Sequence, residues 1–190
     1  MKVGVLALQG AFREHREVLD ALGVSAVEIR TPGELGGVDA LVIPGGESTT
    51  MSFLLESSGL FDAVAGLIDD GLPVLGTCAG LILLARRVAD TRADQRSFGA
   101  LDLAVRRNGY GRQVASFEAD LRVEGLVGGP FRGVFIRAPR IEQVGNDVRV
   151  LARYGSDPVV VRSGPVWATA FHPELSGDLR LHQLFLQEVS

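Results

Sequence analysis

The feature that most constrains this chain is the alternation, along its first half, of short apolar runs with amphipathic stretches, each run ending in a glycine-containing turn. A short run that is apolar throughout reads as a strand buried on both faces. The amphipathic stretch after it reads as a helix laid across that strand, and repetition of the pair implies a parallel sheet wrapped by helices. Residues 3–8 form the first expected strand. Residues 11–22 then place Phe12, Val18, Leu19 and Leu22 near one helical face, with Arg13, Glu14, Arg16 and Glu17 largely outside it, and Gly23 closes the helix. Strands follow at 24–29 and 40–43, the second halted by Pro44-Gly45-Gly46 before a helix over 49–56 with Ser48 as its N-cap. A helix over 61–70, a short buried strand at 73–75 and an apolar helix over 81–88 complete this half.

Beyond Val88 the texture changes. Residues 89–99 are polar and loop-like, and the later runs are shorter, with more turn residues between them. Antiparallel strands are expected at 119–123, 133–137, 148–154, 159–162 and 166–171, with Gly155-Ser156-Asp157-Pro158 as a hairpin turn. A helix over 179–189 ends the chain. With 190 residues and 46% apolar content there is material for one sizeable core and no internal repeat or linker to divide it, so residues 1–190 are read as one α/β domain.

Composition excludes several function classes. The net charge of −4 is spread without the basic stripe that would neutralise a phosphate backbone, so no nucleic acid partner is expected. The opening run carries one lysine and is broken by Gln9 with no small-residue cleavage pattern, so it reads as a strand and not as a signal peptide. No apolar stretch reaches the roughly 20 residues that span a bilayer, and no membrane association is expected. The single cysteine rules out an internal disulfide, and the expected compartment is the reducing cytoplasm.

That cysteine stands in Gly76-Thr77-Cys78-Ala79-Gly80, between a strand and a helix. By residue type alone a lone cysteine is a small buried apolar group. Flanking glycines change the reading, because they permit the sharp strand-to-helix turn that holds a nucleophile exposed beside the first free amides of a helix, whose dipole favours an anion. The amide of Ala79 is then placed to stabilise an oxyanion. Three histidines could serve as base. His15 sits in Arg13-Glu14-His15-Arg16-Glu17 and His182 in a polar helix, and both read as solvated. His172 directly follows an apolar strand, and in His172-Pro173-Glu174 the proline fixes an extended backbone, so Glu174 can turn back to orient the imidazole. Pro44-Gly45-Gly46-Glu47-Ser48 reads as a plain turn or, since paired glycines admit a ligand closely, as a loop whose Gly46 amide is a second oxyanion donor. It lacks the glycine-lysine pair of a phosphate loop. The elbow by itself also admits a cysteine peptidase, and a redox-sensing subunit whose thiol is oxidised and not acylated, though a sensor has no evident use for His172 and Glu174.

Taken with their spacing, the elbow, the Pro44–Ser48 run and His172-Pro173-Glu174 resemble the triad (class I) glutamine amidotransferases. Leu8-Gln9-Gly10-Ala11-Phe12-Arg13-Glu14-His15, Gly46-Glu47-Ser48-Thr49-Thr50-Met51, Arg107-Asn108-Gly109-Tyr110-Gly111-Arg112-Gln113, Ser116-Phe117-Glu118-Ala119-Asp120-Leu121 and Phe135-Ile136-Arg137-Ala138-Pro139 are similar, more narrowly, to the glutaminase subunits of pyridoxal phosphate synthase. The resemblance implies a three-layer, flavodoxin-like fold with a mixed, mostly parallel sheet flanked by helices. It implies hydrolysis of L-glutamine to glutamate by Cys78, His172 and Glu174, with ammonia passing to a barrel-shaped synthase subunit in a large hetero-oligomer, and no cofactor or metal in this chain. Carried over by motif, Gly46, Glu47, Ser48, Arg107, Ile136 and Arg137 bind substrate. The family further implies low activity until the synthase docks, with Gln9 and Gly10 near the contact.

Overall fold

A computed structural model describes residues 1–111, 116–187 and 189; Arg112 and Gln113 of the quoted motif and Glu188 of the expected last helix lie outside them. In chain order the elements are β1 (Lys2–Leu6), α1 (Phe12–Ala21), β2 (Ser25–Ile29), β3 (Ala40–Ile43), α2 (Ser48–Ser57), α3 (Leu60–Asp69), β4 (Val74–Thr77) and α4 (Ala79–Leu84). They continue with β5 (Ala85–Ala89), β6 (Leu101–Arg106), β7 (Ser116–Leu121), β8 (Phe131–Ile136), β9 (Arg140–Val144), β10 (Arg149–Tyr154), β11 (Asp157–Ser163), β12 (Val166–Thr169) and α5 (Arg180–Leu186).

Seven strands make the central sheet in the order β10-β11-β12-β4-β3-β1-β2. The five from β12 to β2 run parallel, and β11 and β10 extend the β12 edge as an antiparallel pair. The register lines up Val5, Val42, Leu75 and Trp167 across the sheet. Because successive side chains point to opposite faces, this row packs in one core with Leu19 of α1, Leu181 and Phe185 of α5, and Phe131 and Phe135 of β8. Leu41 and Val74 belong to the opposite core with Met51 and Leu55 of α2, Val64 of α3 and Leu81 to Leu84 of α4. A helical layer on each side of a mixed, mostly parallel sheet is the expected α/β arrangement.

Several expectations need correction. The helix over 81–88 ends at Leu84, and Ala85–Ala89 becomes β5, paired in parallel with β6. Leu81 to Ala85 is apolar throughout, so periodicity could not mark where helix gives way to strand, and pairing with β6 decided it. Strands β6 and β9 were not expected; they pair antiparallel and complete a three-stranded sheet with β5. The N-cap of α2 is Glu47, not Ser48: its carboxylate accepts from the amides of Thr49 (3.2 Å) and Thr50 (2.7 Å). The hairpin after β10 needs only Gly155 and Ser156, since Tyr154 pairs with Asp157.

Two helical glycines show how local geometry decides a substitution. A carbon built on Gly80 of α4 would lie 2.1 Å from the Ile43 carbonyl oxygen, whereas one built on Gly66 of α3, exposed, meets nothing within 4 Å. Gly80→Ala should therefore destabilise by about 1–3 kcal/mol. Gly66→Ala should stabilise by about 0.5–1 kcal/mol, because alanine gives up less backbone entropy in a helix. Urea unfolding midpoints read both, and equal signs would contradict this packing.

Candidate active site

The elbow forms where β4 passes directly into α4. Cys78 is left at φ 49 and ψ −98, a backbone conformation that side-chain-bearing residues seldom adopt and that costs about 1–3 kcal/mol. Neighbouring structure imposes it: the Cys78 amide donates to the Thr169 carbonyl of β12 at 2.9 Å, continuing the ladder one residue past β4. Gly76 and Gly80 let the helix close onto the strand, since a carbon on Gly76 would lie 2.8 Å from the Gly80 carbonyl carbon.

β12 is the neighbour of β4 in the sheet, so His172, three residues past the end of β12, emerges beside the elbow. Its amide donates to the Val134 carbonyl of β8 at 2.8 Å, and Nδ1 lies 2.7 Å from Glu174 Oε1. The backbone here is not extended, as the proline suggested. Pro173–Leu175 is a single 3-10 turn, and that turn, not strand alternation, brings Glu174 back under the ring. Cys78, His172 and Glu174 are all buried, with relative exposures of 6%, 8% and 6%.

Charge in this line is strongly organised. Burial works against a charged His172, but hydrogen bonds to the Cys78 sulfur and the Glu174 carboxylate outweigh it and push the ring up to about 10. Burial likewise opposes charge on Glu174, and His15 and His172 against its oxygens more than offset that, holding the carboxyl below its usual range.

Cys78 and His172 open onto a cavity of about 360 Å3, the size of a small-ligand site. Gly46, Glu47, Ser48, Arg107, Ile136 and Arg137 all line it, together with Cys78 and His172. Glu174 lies behind His172 and outside the lining, as does Ala79, the first residue of α4, whose amide has no intrahelical acceptor. The Gly45 carbonyl accepts from the Ala11 amide at 2.9 Å, and a trans peptide then turns the Gly46 N–H away from α1. Arg107 donates to Glu47 Oε1 at 2.6 Å and to Thr49 Oγ1 at 2.9 Å. Burial opposes charge on Glu47, yet the Thr50 amide and hydroxyl, the Thr49 amide and Arg107 keep its carboxyl below the usual range.

Sequence reasoning missed or misplaced other lining and supporting groups. Glu14, Ile82, Asn108 and Leu175 also line the cavity, and Gln9 Oε1 accepts from the Glu47 amide at 2.8 Å. His15 and His182, expected in solvent, are both at 0% exposure behind Glu174. Among the described residues no group of three or more His, Cys, Asp or Glu is placed to hold a metal ion.

Residues 5–190 match the model of the SNO glutamine amidotransferase family. The chain belongs to that family. Family membership leaves the peptidase and redox-sensor readings without support. Relatives of the same kind include the pyridoxal 5'-phosphate synthase subunit PdxT of Rhodococcus jostii, 55% identical with 98% of this chain and 96% of the relative covered. The protein of that name from Mycobacteroides abscessus is 57% identical over the same shares, 98% and 96%. A solved structure described as a glutamine amidotransferase matches at TM-score 0.93 and 51% identity over 98% of both chains. A structure of PurLQS from Thermotoga maritima, at 18% identity over 100% of this chain and 99% of that one, shares the fold with TM-score 0.70.

The raised His172 has a consequence for this family member's stability. The ring ordinarily titrates at 6.5 and here at about 10, so its proton stabilises the fold fully below pH 6.5 and that contribution is lost as pH rises through about 10. The melting-temperature advantage of the native protein over His172→Gln should shrink across that interval. An advantage that grows with pH would contradict the charge arrangement.

Proposed function

We propose that the whole chain is one glutaminase domain in which Cys78, His172 and Glu174 hydrolyse L-glutamine to L-glutamate and ammonia, supplying the ammonia for pyridoxal 5'-phosphate synthesis. The observation that carries this reading is the buried line from the Cys78 sulfur through the His172 ring to Glu174, with Nδ1 2.7 Å from Oε1, facing a cavity sized for one small molecule. Family membership and relatives named as pyridoxal 5'-phosphate synthase subunits support the substrate and the pathway.

In this mechanism His172 holds the proton that leaves the thiol, and the thiolate attacks the side-chain amide carbon of glutamine. The amides of Gly46 and Ala79 take the oxyanion. His172 then protonates the departing nitrogen, ammonia leaves, and a glutamyl thioester remains on Cys78. Water deprotonated by His172 hydrolyses the thioester through a second oxyanion held in the same place, and glutamate is released. Glu174 stays ionised throughout and fixes the ring orientation. The substrate α-carboxylate and ammonium are held by Glu47, Ser48, Arg107, Ile136 and Arg137, with an arginine fork matched to the carboxylate.

The partner in this reading is a barrel-shaped synthase subunit in a large hetero-oligomer that receives the ammonia, and the reducing cytoplasm suits a free catalytic thiol. Cys78→Ala should abolish ammonia release from glutamine with the synthase present while leaving the melting temperature near that of the native chain. Substantial glutaminase activity in that variant would refute the nucleophile.

A further inference from the structure

Behind the triad, on the side away from the cavity, lies a pair of histidines that this reaction does not use. His15 Nδ1 of α1 stands 2.9 Å from His182 Nε2 of α5. On its other side His15 Nε2 lies 3.0 Å from Thr77 Oγ1, the residue before the nucleophile, and 3.2 Å from Glu174 Oε2. That oxygen is the one His172 leaves uncovered, and it has no aligned hydrogen bond of its own among the described residues. Two helices on one face of the sheet and the end of β4 thus converge on the back of Glu174.

The carboxylate dictates the tautomers. A proton on His15 Nε2 is aligned with Thr77 Oγ1 and sets its positive end beside the negative oxygen, whereas a lone pair there would oppose that oxygen at 3.2 Å. His15 Nδ1 then accepts from His182 Nε2–H, and the atom left over is the His182 Nδ1 lone pair, which has no partner among the described residues. The reverse assignment would bury an unpaired N–H instead, the costlier orphan. Burial pushes both rings down, only partly countered at His15 by Glu174, and His182 falls to about 3. Neutral rings brace the carboxylate without competing for its charge. The groups that face Glu174 are His172 on its own turn, His15 with neighbouring Glu14 from α1, His182 from α5, and Cys78 beyond His172.

We propose that His15 is a positioning residue for the glutaminase reaction: its Nε2–H, anchored on Thr77 Oγ1, lies against the second oxygen of Glu174 and braces it electrostatically, and His182 holds His15 in the tautomer that does so. The terminal torsion of a glutamate is broad, so a carboxylate held through one oxygen can swing about it. Held through both, it presents Oε1 to His172 in one orientation. The proposal rests on the reading of Cys78, His172 and Glu174 given above.

The test compares the native chain with His15→Leu and His15→Gln, each assembled with the synthase partner, then assayed for ammonia release. The leucine variant should lose about 10- to 100-fold in kcat, the scale of loss when an outer-shell partner behind a metal-bound imidazole is removed, with KM for glutamine nearly unchanged. The acid limb of its kcat/KM profile should move up by about one pH unit, because Glu174 has lost the favourable electrostatic influence of His15 and takes a proton more readily. Glutamine carries an amide nitrogen where Nε2 stood and should restore most of both. A folded His15→Leu with unaltered kcat and acid limb would overturn the brace. A measurement on the native protein needs no substitution: 15N spectra of its imidazoles should show His15 neutral with the proton on Nε2 between about pH 5 and pH 9. A charged His15, or a proton on Nδ1, would equally overturn it. A native complex that releases no ammonia would instead sink the glutaminase reading itself.

Discussion

A carbon on Gly80 would stand 2.1 Å from the Ile43 carbonyl oxygen, which means that α4 rests directly on the backbone of β3 with no side chain between them. Everything at the site depends on that approach. It forces the chain to turn within one residue after β4, so Cys78 carries the strain at φ 49 and its sulfur is presented at the sheet edge. The same edge receives the loops that follow β1, β3 and β12, because all four strands run in one direction. Crevices beyond the carboxyl ends of parallel strands are where such sheets place ligands. Here they gather Gln9 and Gly10, the Gly45–Ser48 loop, Cys78 and His172 around one cavity.

These loops are tied to one another as well as to the sheet. Ala11 donates to Gly45, Glu47 donates to Gln9, and the Glu47 side chain caps α2 while gripping Arg107. The charged groups behind them are organised on the same principle. A buried carboxylate is tolerable only when its oxygens are covered, and Glu174 meets His172 on one oxygen and His15 on the other. The Cys78 sulfur and the first of these contacts together push the His172 ring up to about 10. The second reaches through α1 and α5 and makes the packing of one helical layer part of the electrostatics of the site.

The first half of the fold was legible because each buried parallel strand announces itself as a continuous apolar run, and β3 falls where 40–43 suggested. The failures came where long-range pairing overrode local pattern, as at Ala85–Ala89, or where an edge strand such as β9, Arg-Ile-Glu-Gln-Val, carries mostly polar residues. The residues assigned to the site from motifs, Glu174 and Ala79 excepted, do line one cavity, and no local pattern could have established that meeting, since β4 and β12 bring Cys78 and His172 together from distant parts of the chain. His15 and His182 were misread for an instructive reason. Their charged neighbours in sequence suggested solvent, yet His15 falls three and four residues before Val18 and Leu19, and His182 stands in the same relation to Phe185 and Leu186. Helical spacing put both on the apolar stripe. A histidine on such a stripe requires buried polar partners, and the two rings find them in each other and in Thr77, with Glu174 beside His15.

The central claim is that one strained, buried cysteine attacks the side-chain amide of glutamine with His172 as its proton carrier. Intact-mass and peptide mass spectrometry after exposure to an electrophilic glutamine analogue test it directly. A single adduct is expected on Cys78, formed in the native chain, suppressed by excess glutamine and greatly slowed in His172→Gln. Absence of an adduct on Cys78, or labelling that glutamine does not compete away, would contradict it.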